Sequence, residues 1–314
     1  MADLKISYNQ LNGTLPRELG NLSKLKKLNL SYNNLVGTIP SQFGDLARVT
    51  DLELYNNQLN GTLPSELGVL RKLTTLTVSY NNISGTIPTE LGNLTKLRNL
   101  QFNNNQLNGS IPIKLVSLTK LALLNLAYNK LAGEIPSILG SLALTDLRLF
   151  HNRLNGTMPS ELGNLMNLTK LYLQHNLLSG AIPEEIRNLA QIKDLQLSFN
   201  QLSGTVSSEF GSLRQLTVLD LRNNELSGTI PKDFQNLSRI TDLYMGRNFL
   251  RGTVPTDLTL LQNLATLDIS GNRDISGDLS YVCANDIVSV YMNAAAMKKA
   301  SCSCCFDTDH NNNN

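Results

Sequence analysis

Between Leu22 and Pro40 the chain reads LSKLKKLNLSYNNLVGTIP, with leucines at Leu22, Leu25, Leu28, Leu30 and Leu35. Leu28 and Leu30 have the period of two that marks a short strand with one face buried. The strand ends at Tyr32-Asn33, where the Asn33 amide can donate to and accept from backbone groups that a tightening turn leaves unpaired. Gly37 permits a φ that other residues resist. Pro40, with fixed φ and no N–H, suits an extended segment outside any ladder.

The same frame recurs along the whole chain. Asparagine stands at Asn9, Asn33, Asn57, Asn81, Asn105, Asn129, Asn152, Asn176, Asn200, Asn224, Asn248 and Asn272, in ten intervals of 24 residues and one of 23. A glycine follows four residues later in every copy but the last, where an inserted residue moves it to Gly277, and all ten prolines stand three residues after such a glycine. Prolines confined to one phase of a period serve one backbone position. A buried amide without partners would cost roughly 1–3 kcal/mol, so the asparagine column predicts twelve hydrogen-bonded sites. One copy cannot bury its own leucines, whereas stacked copies share a continuous core in which each buried Leu contributes roughly 1.5–3 kcal/mol. Two globular α/β domains would need longer amphipathic helices than the Gly- and Pro-rich GxIPxxLGxL segments can supply.

The string LxxLxxLxLxxNxLxGxIPxxLGxL, seen from Leu70-Arg71-Lys72-Leu73 through Leu91-Gly92, resembles the plant-type leucine-rich repeat of receptor-like kinase ectodomains, receptor-like proteins and polygalacturonase inhibitors. The likeness runs from about Leu4 to Leu279. It implies an α/β repeat solenoid: a right-handed superhelix of about twelve 24-residue repeats, with a parallel sheet on the concave face and a mostly irregular or 3-10 convex side. The paired-cysteine, Trp-containing N-terminal cap of that class is not among these residues, and the reading begins inside a repeat at Leu4. The ending Cys302-Ser303-Cys304-Cys305 resembles the CSCC element of leucine-rich-repeat proteins from diatoms and related stramenopiles. The expected organisation is a solenoid over residues 1–282, a cysteine-containing cap over 283–306 and a disordered tail over 307–314.

With 27 basic and 25 acidic residues in 314, the net charge of +2 gives no field that would gather nucleic acid. No apolar run is long enough to span a membrane, and MADLKISYNQLNGTLP does not read as a secretion signal. The four cysteines, Cys283, Cys302, Cys304 and Cys305, all lie beyond the last repeat, which reads as a terminal cap stapled by disulfides; metal ligation and free thiols are the other readings. Ten NxS/T sequons, of which Asn82 and Asn236 begin two, agree with an extracellular or cell-surface setting, although the repeat consensus itself generates such triplets. No motif of a hydrolase, zinc protease, nucleotide-binding loop or kinase is present, no cofactor is implied, and a non-enzymatic role is expected.

Function is then sought among the variable positions that flank the strand leucines. Arg148, Phe150, His151, Tyr172, Gln174, His175, Gln196, Phe199, Arg222, Tyr244 and Arg247 combine aromatic and Arg side chains of the kind that anchor protein contacts, and form the candidate site for a protein or peptide partner, with a glycan as a further possibility. Tyr8, Tyr32, Tyr80 and Tyr128, in the slot before the Asn, can be packing along a ladder or part of binding. His151 and His175 share that slot; two imidazoles without a third ligand read as exposed surface residues before they read as a metal or pH-sensitive pair. The acids Asp194, Asp220, Asp242 and Asp268, with Lys170, Arg222 and Arg247 nearby, read as surface ion pairing. A different class of function attaches to the residue after the repeat glycine. Thr14, Thr38, Thr62, Thr86, Thr157, Thr205, Thr229 and Thr253 make a row, broken by Ser110, Glu134, Ala181 and Asp278, that could order water and bind ice. The resemblance to polygalacturonase inhibitors adds inhibition of a secreted hydrolase as a sibling reading.

Overall fold

The computed structural model describes residues 2–277, 289–292 and 304–307. They fall into two units, divided between Asn155 and Gly156. In the first unit the strands Asp3–Lys5, Lys27–Asn29, Asp51–Glu53, Thr75–Thr77, Asn99–Gln101, Leu123–Asn125 and Asp146–Arg148 pair in parallel in chain order. In the second, Lys170–Tyr172, Asp194–Gln196, Val218–Asp220, Asp242–Tyr244, Thr266–Asp268, Ser289–Met292 and Cys305–Asp307 do the same. The repeat length sets the register: Leu52 pairs with Leu76, and Leu195 with Leu219. Each coil thus places its central strand leucine on that of the next, and the pleat sends both to the same side.

Each coil continues through a second short strand, an extended proline segment and a five-residue 3-10 turn. Among the described residues no α-helix occurs, in keeping with the 3-10 side that the family resemblance implies, and no helix is long and apolar enough to cross a membrane. The prolines occupy the position before each 3-10 turn, with φ of −70° at Pro16 and −62° at Pro136. At the one turn without proline, Ser207 replaces it and its hydroxyl accepts from the Glu209 N–H at 3.2 Å, a side-chain cap that proline cannot make. The copy that is one residue short is absorbed at Leu142, whose ψ is 165°, against 56° at Leu118 and 60° at Leu165 in full-length copies.

The core runs inside the coils. In one copy Leu70, Leu73, Leu76, Val78, Ile83, Ile87 and Leu91 are at most 2% exposed, and Phe43, Phe102, Phe210 and Phe234 are sealed completely. The asparagines bond as their column requires. Asn81 Nδ2 donates to the carbonyls of Val78 and Ser79 in its own turn, at 3.0 and 3.2 Å, and to that of Leu54 in the preceding coil at 3.1 Å. Its Oδ1 accepts from the Leu59 N–H at 2.9 Å. The side chain therefore stands in for backbone partners at a bend, where of these groups the Ser79 carbonyl also takes the Asn56 N–H at 3.0 Å.

Candidate recognition surfaces

The residues on either side of each strand leucine point away from the core. In the second unit this face is tied together by side-chain hydrogen bonds. Tyr172 donates to Asp194 Oδ2 at 2.5 Å, Gln196 donates to Asp194 Oδ1 at 3.1 Å, and Gln174 donates to Gln196 at 2.9 Å. Arg222 grips Asp220 with two bonds of 2.9 Å, approaches Asp268 at 3.9 Å, and lies 4.3 Å from the centre of the Tyr244 ring. The Asp220 hydrogen bonds, opposed by burial and aided by the neighbouring carboxylates, hold the Arg222 guanidinium above its usual pKa. Burial, then Asp242, pushes the Tyr244 phenol upward, and its hydroxyl donates to Asp242 at 3.1 Å. The Asp220–Arg222–Asp268 pairing is the ion pairing expected of these residues, but both aspartates are buried and not at the surface. Asp194, Asp220, Asp242 and Asp268 stand on these strands against Lys170 and Arg222, so the face is net acidic and aromatic.

Of the sequence-predicted partner residues, Tyr172, Gln174, Gln196, Arg222 and Tyr244 share this face. Phe199 and Arg247 stand at its border, in the slot before the asparagine, and are the exposed ones; Phe199 stacks on His175 at 4.2 Å. Arg148, Phe150 and His151 belong to the last coil of the first unit, where Arg148 is bound twice by Asp146, at 2.8 and 2.7 Å, and His151 stacks on Tyr128 at 4.3 Å. Both histidines are half-buried in ring stacks, so the expectation of exposed surface imidazoles is corrected.

Two features escape the sequence reading. The first is backbone strain: the slot before each asparagine is left-handed, with φ between 51° at His151 and 57° at Asn104 in eleven non-glycine residues, and 66° at Gly271. The signal was present, because Asn56, Asn104, Asn223 and Gly271 hold that slot and are residue types that tolerate a positive φ. The second is a groove of about 410 Å³ on the strand face of the first unit, edged by Tyr32, Tyr55 and Tyr80 and walled by amides and hydroxyls such as Asn99, Gln101, Asn103 and Thr77. The individual positions were visible in the sequence, but a cavity is a property of their curvature together. Burial, then Asp51, raises the pKa of Glu53 at its margin.

The threonine row is exposed, as its ice-binding reading requires. Its methyl groups have a second role. In full-length copies the second strands pair with an offset of 22 residues, Gly13 opposite Leu35 and Thr14 opposite Val36, against 21 at the short copy, Ala132 opposite Arg153, and 23 at the lengthened last one, Arg251 opposite Asp274, so a threonine lies against the next coil's glycine. A Cβ at Gly61 would come within 2.7 Å of Thr38 Cγ2, and one at Gly85 within 2.8 Å of Thr62 Cγ2. Asp278 of that row lies outside the described residues. Cys304 and Cys305 are disulfide-bonded; Cys283 and Cys302 lie outside the described residues, as does most of the expected tail.

Comparison with known proteins agrees with this geometry. Family models described as leucine-rich repeat match residues 3–122, 120–142, 143–202 and 214–273. The chain belongs to the leucine-rich-repeat family. A plant peptide hormone receptor solved with its ligand, RGFR1 with RGF2, superposes with a TM-score of 0.91 at 35% identity over 93% of this chain and 47% of the receptor's. The Arabidopsis HAESA ectodomain in complex with an extended IDA peptide hormone gives 0.80 at 31% identity, over 98% and 54%. A plant ice-binding protein gives 0.63 at 29% identity, over 79% and 78%. The chain thus spans about half the length of the receptor structures it matches. No curated protein matches the sequence.

Proposed function

We propose that this chain is an extracellular, non-catalytic recognition module that takes a basic peptide, or a basic segment of a secreted protein, on the strand face of its second unit. The observation that carries the reading is the pre-bonded acidic and aromatic surface, in which Tyr172 and Tyr244 hold the half-buried carboxylates of Asp194 and Asp242, while the buried Asp220 and Asp268 pair with Arg222. Side chains already held by one another lose little freedom when a ligand arrives, so more of the contact energy remains as affinity. The peptide hormones bound by the similar plant receptors support the class of partner, and the disulfide-bonded Cys304 and Cys305 support an oxidising compartment. Panning a random dodecapeptide display library on the full chain tests the reading. Enriched peptides should be rich in Lys and Arg, lose affinity as salt rises, and fail to bind the Tyr172→Ala and Asp194→Asn variants. Acidic or uncharged peptides that bind both variants as well as the native chain would refute it.

A second reading, ice binding through the threonine row, rests on its regular exposure and on the plant ice-binding relative. Glu134 in the first unit and Ala181 in the second interrupt the row, and its methyls already pack on glycines. A freezing-hysteresis measurement without effect removes it.

A further inference from the structure

We propose that the groove on the first unit is a separate binding site for a neutral oligosaccharide. Its volume of about 410 Å³ lies within the ~300–1,000 Å³ range of small-ligand pockets. The first argument is the ring of Tyr80. In the left-handed slot the other first-unit aromatics stack on a neighbour, Tyr8 on Tyr32 at 4.1 Å and Tyr128 on His151 at 4.3 Å. Tyr80 is flanked in that slot by Asn56 and Asn104, and among the described residues no ring stacks on it, although it is 53% exposed at φ 54°. A tyrosine at a positive φ costs more than asparagine would there, and among the described residues no ring stacking offsets that cost. Its open face, at the lip of the groove, is where the apolar C–H face of a pyranose would lie.

The walls supply the second argument. A sugar hydroxyl both donates and accepts, and the carboxamides of Asn99, Gln101 and Asn103 do the same side by side. Thr77 is 5% exposed and its hydroxyl has no hydrogen-bond partner, nor has Asn99 Oδ1. Folded proteins seldom leave such groups unsatisfied. Charge argues for neutrality. Arg148 is neutralised by Asp146, and Glu53 already accepts from Asn29 at 2.6 Å, so nothing at the groove calls for an anionic ligand. Peptides are commonly captured by a free strand edge, an apolar groove or a cluster of unpaired arginines. The strands from Asp51–Glu53 to Leu123–Asn125 that line this groove are paired on both sides, and its lining is polar.

Titration calorimetry of the full chain with cellotetraose, xylotetraose, mannotetraose and tetragalacturonic acid decides the matter. At least one neutral tetrasaccharide should bind with a dissociation constant of about 1 mM or tighter, and the acidic one about tenfold more weakly. Tyr80→Asn, which places in this coil the residue its two neighbours already carry, and Gln101→Ala, whose amide makes no hydrogen bond among the described residues, should each weaken binding about tenfold without lowering the unfolding midpoint. Tyr172→Ala should bind the sugar like the native chain, which separates this site from the peptide reading. No neutral sugar binding at about 10 mM, a preference for the acidic sugar, or affinities unchanged in Tyr80→Asn and Gln101→Ala would each overturn the proposal.

Discussion

At the scale of single residues, the asparagine column is the best-defined element of the molecule. Asn129 serves the carbonyls of Leu126, Ala127 and Phe102 and the N–H of Leu107. Asn129→Leu leaves the Leu107 N–H without its acceptor and takes one of two donors from each of the three carbonyls, which keep those of Asn104, Asn105 and Asn152, and should lower stability by about 1–3 kcal/mol in urea titration. This role was legible because an amide carries donor and acceptor together, and the chain repeats it at one phase. The left-handed slot beside it was less legible, since tyrosines there read first as packing. His175 in that slot carries a pH prediction. Burial lowers its pKa below 6.5 against the weaker pull of Asp220, so as pH falls the unfolded chain takes up the proton first. The stability from the neutral ring is present above the ordinary histidine range and is lost as pH falls through the folded value. Urea midpoints should fall between pH 7.5 and pH 5, and less so in His175→Phe, which repeats the residue of the next coil.

Between elements, the fit of one coil on the next is set by glycines of two kinds. Gly68 is needed for space alone: a Cβ there would stand 2.4 Å from the Glu90 carbonyl oxygen and 2.6 Å from its carbon, both backbone atoms that cannot swing aside. Gly68→Ala should cost about 1–3 kcal/mol, read as a lower thermal midpoint, whereas Ala at an exposed 3-10 position such as Ser65 should cost little. Gly61 needs both a positive φ and room for the Thr38 methyl. The sequence announces the strands and turns through leucine spacing, and the proline phase marks the 3-10 starts. The offset of 22 in the second ladder cannot be read in the same way, because strands carrying glycine and polar residues have no apolar pattern to fix their register.

For the molecule as a whole, a stack in which each coil touches its neighbours opens from its ends. Ile6 is 36% and Leu11 39% exposed, while Val78 and Ile83, at the corresponding positions in the coil of residues 75–91, are sealed. Hydrogen exchange should therefore proceed in residues 3–14 well before residues 75–107. Reduction of the disulfides that engage Cys304 and Cys305 should release the paired strands at Val290 and Cys305, with loss of about 2–4 kcal/mol of protection confined to that end. The candidate sites were only partly legible at this scale. The aromatic and charged residues of the second unit were identified one by one. That Arg222 is bridged by two aspartates, and that a groove opens under Tyr80, depends on distances that a string of letters does not contain.

The threonine methyl seated against the following glycine has one more implication. Because each such pair straddles a boundary between successive coils, a block of 24 residues cut at matching glycines carries half of one joint at its start and the complementary half at its end. Gene segments of that length could be duplicated or excised within either unit, and every new seam would still find its counterpart; the one 25-residue interval, Gly252 to Gly277, keeps its glycine against the Thr253 methyl only by shifting the second ladder to an offset of 23. Lengthening by whole periods is thus open to such a chain, while slippage by a single residue has to be absorbed elsewhere in the turn, as it is at Leu142.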